Sequence, residues 1–143
     1  MFRIGSSAVA LTGLLLSGIT FGAIAPATAQ APCSLWRVDS HWRAIQSNGP
    51  VVNLVLQQTG NNLRGKAYYS KFIYGRDVNI TGPVDGSIKG NSIRFTIFWS
   101  DGAVGAYSGV IGSTGRIEGF GYDKRNPKSR AAWYSQRRMD CIR

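Results

Sequence analysis

The chain has 143 residues, 43% of them hydrophobic, with 17 lysines and arginines against 7 acidic residues and one histidine. That length holds one domain of ordinary size, and one histidine with two cysteines in no CxxC spacing excludes a zinc-type ligand set. The net charge of +10 at pH 7 bears on solubility and partners rather than on fold.

In chain order, the first segment reads as a secretory leader. Arg3 supplies the positive end, an apolar run follows from Ala8 to about Ile24, and Ala27-Thr28-Ala29 offers a small-x-small cleavage site, with Ala29-Gln30-Ala31 as a second choice. The Gly, Ser and Thr content of the run and the adjacent cleavage site argue against a membrane anchor. Cys33 follows Gln30-Ala31-Pro32, which is not a lipobox. Residues 1–29 are therefore expected to leave as a signal peptide. Residues 30–143 remain as one domain, exported to the periplasm or the medium, with no transmembrane segment. Cleavage removes only Arg3 from the 17 basic residues and none of the 7 acidic ones, so the charge stays at about +9.

Two cysteines, Cys33 and Cys141, sit near the ends of the mature chain. In an oxidising compartment such a pair forms one bridge. Closing a loop of about a hundred residues stabilises by roughly 4–5 kcal/mol on the chain-entropy argument.

After residue 30 there is no sustained helical period. Short β-rich runs near 35–46, 51–58, 63–70, 78–88, 92–100, 103–112, 116–122 and 130–138 are separated by turn signals. These signals are Gly60-Asn61-Asn62, Gly90-Asn91, Asp101-Gly102, Thr114-Gly115 and the polar loop from Asp123 to Ser129. A turn at Asn61-Asn62 pairs Leu56 with Ala67 and Leu54 with Tyr69, leaving Gln57, Arg64 and Lys66 outward. A turn at Gly90-Asn91 pairs Ile88 with Ile93, Gly86 with Phe95, Val84 with Ile97 and Gly82 with Trp99. A two-residue turn at Asp101-Gly102 pairs Trp99 with Val104, Ile97 with Ala106 and Phe95 with Ser108. Ile93, Phe95, Ile97 and Trp99 thus share one apolar face. At Thr114-Gly115 two registers are open. A two-residue loop turns Ile117, Gly119 and Gly121 inward, and a three-residue loop turns Glu118, Phe120 and Tyr122 inward. The first is preferred because the second buries a carboxylate without a partner.

About eight meandering strands with one inner face, tied end to end by a disulfide, describe an all-β, antiparallel up-and-down barrel. The alternative is a two-sheet sandwich.

Aromatic residues carry the strongest functional signal. Trp42, Tyr69, Trp99 and Trp133 are candidate lining for a small apolar or aromatic ligand at a barrel mouth. The competing reading is core filling, because an eight-stranded barrel is just wide enough to be packed by its own side chains. Phe98, Tyr107, Phe120 and Tyr122 face outward in these registers, with Tyr107 opposite Tyr122. Such a stripe is a candidate surface for a protein partner or a homo-oligomer. Lys124, Arg125, Lys128 and Arg130 gather in one loop. They are candidates for anionic groups on lipopolysaccharide, glycan or nucleic acid, with a solvated loop as the alternative. The only histidine, His41, has Asp39 and Ser40 as neighbours, but adjacent strand residues point to opposite faces, so no Ser-His-Asp arrangement forms. No catalytic residue, metal or cofactor is expected.

Gly60-Asn61-Asn62-Leu63-Arg64-Gly65-Lys66-Ala67-Tyr68 is similar to the Gly-x-Leu-x-Gly-x-Tyr of avidins, one residue out of step at both ends. In strand count and meander the chain resembles the calycin group, lipocalin-like or avidin-like barrels. This resemblance implies a closed barrel that carries a small ligand. Avidins have Trp-x-Asn-x-x-Gly-Ser on the first strand. Here Ala44 follows Trp42 where the Asn should be, and Ser47-Asn48 replaces Gly-Ser, so no biotin-contacting residue is carried over.

Overall fold

The computed structural model describes residues 32–142; the expected leader and its cleavage sites lie outside the described residues. Ten strands follow one another: β1 (Leu35–Arg37), β2 (Ser40–Gln46), β3 (Val51–Thr59), β4 (Asn62–Ile73), β5 (Arg76–Lys89), β6 (Ser92–Phe98), β7 (Val104–Ile111), β8 (Ile117–Asp123), β9 (Asn126–Ser135) and β10 (Asp140–Ile142). Strands β2 to β9 close into an antiparallel barrel, β9 returning to β2. Closure leaves no edge strand in the barrel.

The barrel is closed by strand pairing, and the disulfide acts beside it. The run expected as one strand over 35–46 divides after Arg37, because Ser40 takes a left-handed conformation (φ 78°). β1 then leaves the barrel and pairs with β10, Trp36 opposite Cys141. Cys33 and Cys141 form the expected bridge, with Cα atoms 5.7 Å apart across 108 residues of chain. The Gln58 side chain pins this ribbon to the barrel: its Oε1 accepts the Val38 N–H at 2.9 Å, and its Nε2 donates to the Trp36 carbonyl at 3.0 Å. Val38, Trp36 and Met139 are buried there and stop that end of the barrel.

The Gly90-Asn91 turn holds as expected, with Ile88 opposite Ile93, Gly86 opposite Phe95 and Val84 opposite Ile97. Two other registers differ. The β3–β4 turn sits at Gly60-Asn61, so Leu54 faces Ala67 and Leu56 faces Gly65. A shift of two residues keeps every side chain on its expected face.

Between β6 and β7 the shift is one residue, which reverses the face of β7. Phe95 lies opposite Tyr107 and Ile97 opposite Gly105. The connection is not a two-residue turn: Trp99 N–H donates to the Ala103 carbonyl, and Asp101 Oδ1 accepts the Ala103 N–H at 3.1 Å. The longer loop puts Tyr107 inside and Ala106 and Ser108 towards the outer wall. Burying an aromatic ring outweighs the local preference for a tight Asp-Gly turn. The β7–β8 connection also differs by one residue, with Ile111 opposite Ile117. The two differences cancel, so Ile117 and Gly121 point inward as preferred and Glu118 stays exposed.

Phe95 is buried at the centre of the inner face, whereas Arg94 on the same strand is exposed. Phe95→Ala is expected to lower the unfolding free energy by about 3–5 kcal/mol and Arg94→Ala by no more than about 0.5 kcal/mol. Urea unfolding of both variants measures this; a reversed ranking would place the wrong face of β6 in the core.

Candidate functional site

The barrel bore is filled by rings. Phe95 and Tyr107 stack at 4.9 Å between centroids with planes 6° apart, Trp133 meets Phe95 edge-on at 5.8 Å, and Trp42 stacks on Trp133 at 6.3 Å. Glycines on the neighbouring inner positions make the room. A methyl group added at Gly121 would stand 2.9 Å from the Tyr107 ring, and one added at Gly109 would stand 2.9 Å from the Trp133 ring. Large and small side chains alternate around the taper of a small barrel in this way.

The four candidate ligand contacts therefore separate. Trp42 and Trp133 lie deep in the packed bore, Trp42 donating its indole N–H to the Val38 carbonyl at 3.0 Å. Tyr69 and Trp99 remain at the open end and meet edge-on at 4.9 Å. Between them and the β2–β3 turn lies a pocket of about 150 Å³, which also reaches Gln46, Asn48 and Tyr107. That space accepts a single six-membered ring and falls short of the 300–1,000 Å³ usual for small-molecule sites.

Tyr107 is a correction. Expected on the outer wall, it is only 7% exposed, for the register reason given above, and it is opposite Gly121 rather than Tyr122. Gly105-x-Tyr107-x-Gly109 facing Gly119-x-Gly121 is the pattern in the sequence that marks a ring packed between strands. Burial pushes the Tyr107 phenol up to about 12, the neighbouring Tyr69 adds to the rise, and a hydrogen bond with the Gln46 side chain opposes it. Tyr69 is also raised, by burial first and then by the Asp101 carboxylate.

The other three outer-wall aromatics are where the sequence puts them: Phe98, Phe120 and Tyr122 are 52%, 48% and 42% exposed. They do not make one stripe, since Tyr122 is flanked by Ala106 and Phe120 by Ser108 and Ala132. Small side chains between them leave the rings standing proud. Tyr134, also exposed, extends this wall across β9 to Ile45 of β2. An apolar groove of about 430 Å³ lies there, bordered by Ile45, Phe120, Ala132 and Tyr134.

The basic residues divide as well. The expected polar loop from Asp123 to Ser129 is a tight hairpin with Lys124 and Arg125 at its tip, Asp123 lying opposite Asn126. Asp123 Oδ1 accepts the backbone N–H groups of Arg125 and Val104, which hold its carboxyl below the usual range. Arg130 leans over the Phe120 ring at 4.4 Å on the outer wall, while Lys128 is exposed on the same strand. His41 is exposed on β2, and Ser40 Oγ accepts a hydrogen bond from Arg137 at 2.9 Å.

No known protein family matches the chain, and no curated protein does so. Among solved structures it is similar to a redesigned β-barrel, with a TM-score of 0.53 at 15% identity over 71% of this chain and 91% of the other. That likeness concerns the barrel fold alone.

The Tyr107 shift has a pH consequence. An unfolded tyrosine ionises near 10, so the folded state holds its proton longer. The contribution is complete below pH about 10 and is lost as pH rises towards 12. Absorbance at 295 nm should show a latest-titrating phenol that disappears in Tyr107→Phe, with alkaline unfolding setting in above pH about 10. All phenols ionising together near 10 would contradict this burial.

Proposed function

We propose that this protein is an exported, non-enzymatic interaction module that meets a protein partner, a second copy included, with the outer wall over β6–β9. The observation that carries this reading is the filled bore combined with the exposed rings of Phe98, Phe120, Tyr122 and Tyr134. A barrel packed with its own side chains leaves its chemistry on the outside, and exposed apolar patches of this kind mark interaction sites. The Cys33–Cys141 bridge supports an oxidising compartment, periplasmic or extracellular. Among the described residues no helix is long and apolar enough to cross a membrane. The single histidine on the exposed face of β2, with its neighbour Ser40 engaged by Arg137, supports a role without catalysis.

A second reading, the lipocalin- or avidin-like carrier, draws its support from the eight-stranded meander and from Tyr69 and Trp99 at the mouth. It is limited to a ligand that presents one ring to a pocket of about 150 Å³. A polyanion site at Lys124, Arg125, Lys128 and Arg130 is supported by their exposure and opposed by the engagement of Arg130 with Phe120.

Phe98→Ser combined with Tyr122→Ser should leave the thermal midpoint nearly unchanged, because both rings are half out in solvent. Light scattering should show a lower mass than the parent protein, or the double variant should fail to hold a partner that the parent holds. A parent that stays monomeric at high concentration and retains no partner would end the interaction reading.

A further inference from the structure

The hairpin of β4 and β5 is far longer than its neighbours. β3 pairs with β4 only as far as Asn53 opposite Tyr68, and the β6 side reaches β5 only as far as Ser100 against Thr81. Among the described residues, 69–73 and 76–80 pair only with each other. Tyr69, Val78 and Ile80 at the base still pack against the core, so at about 3.3 Å per residue the three residues 71–73 carry the tip roughly 10 Å beyond it.

The tip carries two exposed rings at its extremity. Phe72 is 72% exposed and Tyr74 is 98% exposed, and Ile73 stands between them facing the other way. Tyr74 (φ 50°) and Gly75 (φ 77°) are both left-handed, the geometry of a turn that favours Asn-Gly. A tyrosine there strains the backbone and packs against nothing, so the turn itself does not require it.

Cations stand behind the tip. Lys71 and Arg76 flank it, and the end of the barrel that carries this arm also carries Lys124, Arg125 and Lys128. The carboxylates at that end are Asp77, Asp101 and Asp123. The last two are occupied by backbone N–H groups of their own loops. Apolar groups at the extremity with lysine and arginine just behind them match the layered chemistry of a bilayer interface. The net positive charge at this end complements an anionic leaflet. Phe72 and Tyr74 stand out at the extremity, with Ile73 half-buried between them.

We propose that the β4–β5 arm is a membrane anchor. It seats Phe72, Ile73 and Tyr74 in the interface of an anionic phospholipid bilayer, with Lys71, Arg76, Lys124, Arg125 and Lys128 against the headgroups. The arm's free reach of roughly 10 Å matches the depth of about 5–10 Å of the headgroup–acyl boundary. Because this role uses the barrel end and not its outer wall, it stands or falls separately from the partner surface over β6–β9.

The test uses vesicles of phosphatidylcholine with and without phosphatidylglycerol. All four native tryptophans are buried, so the difference in emission between Phe72→Trp and the parent protein reports the tip. Its emission should shift to the blue and be quenched by brominated lipid on anionic vesicles only, and raising salt should reverse this. Phe72→Ser with Tyr74→Ser should weaken sedimentation with anionic vesicles by about tenfold or more, with an unchanged thermal midpoint. Neutralising Lys124, Arg125 and Lys128 to Gln should weaken it similarly. An unshifted emission on anionic vesicles, as an arm seated on a protein would give, or a serine variant that sediments like the parent, overturns the proposal.

Discussion

The stack of Phe95, Tyr107, Trp133 and Trp42 across the bore is the constraint on which the rest of the structure depends. Four rings fit inside an eight-stranded barrel only because Gly105, Gly109 and Gly121 supply no side chain where those rings lie. The glycines weaken their strands locally, and the buried aromatic area offsets that loss. Packing of this density sets the register of β7. Once Tyr107 must lie between Gly105 and Gly121, the loop before it takes the extra residue and Asp101 caps the result.

The far end of the barrel adds polar pinning to the buried Trp36, Val38 and Met139. Gln58 holds the β1–β10 ribbon by both ends of its amide, and Arg137 donates to the Asp39 carbonyl and to Ser40 Oγ. Ser135 is fully buried, and its hydroxyl accepts the Ile117 N–H at 2.9 Å and donates to the Arg137 carbonyl at 2.7 Å. The disulfide joins this ribbon across itself. One end is therefore stopped and stapled, while the other carries the pocket, the long hairpin and the basic tip.

Much of this was legible in the sequence. The strand meander, the inner face of β6 and the terminal disulfide follow from alternation, turn residues and cysteine placement. Two features did not. A one-residue change in loop length reverses a whole strand face, and Asp101-Gly102 fits a tight turn as readily as the longer loop it occupies, so Tyr107 was misplaced. The glycines held the missing signal: Gly105, Gly109 and Gly121 leave room for rings, whereas Gly119 serves close approach of the neighbouring backbone. The β4–β5 arm escaped notice because Lys71–Asp77 reads as a connection. Only the early end of the flanking ladders shows that the hairpin projects. Of the candidate ligand residues, pairing placed Tyr69 and Trp99 together at the mouth; Trp42 and Trp133 went to the bore, because inward direction alone does not reveal depth.

A filled bore moves every proposed role to the surface, and it is open to direct observation. Crystals of the protein pressurised with xenon report apolar space inside a fold. The account predicts no xenon between Trp42, Phe95, Tyr107 and Trp133, and at most a weak site beside Tyr69 and Trp99. Well-occupied xenon within the ring stack would mean that the barrel holds a cavity, and the carrier reading would replace the one argued above.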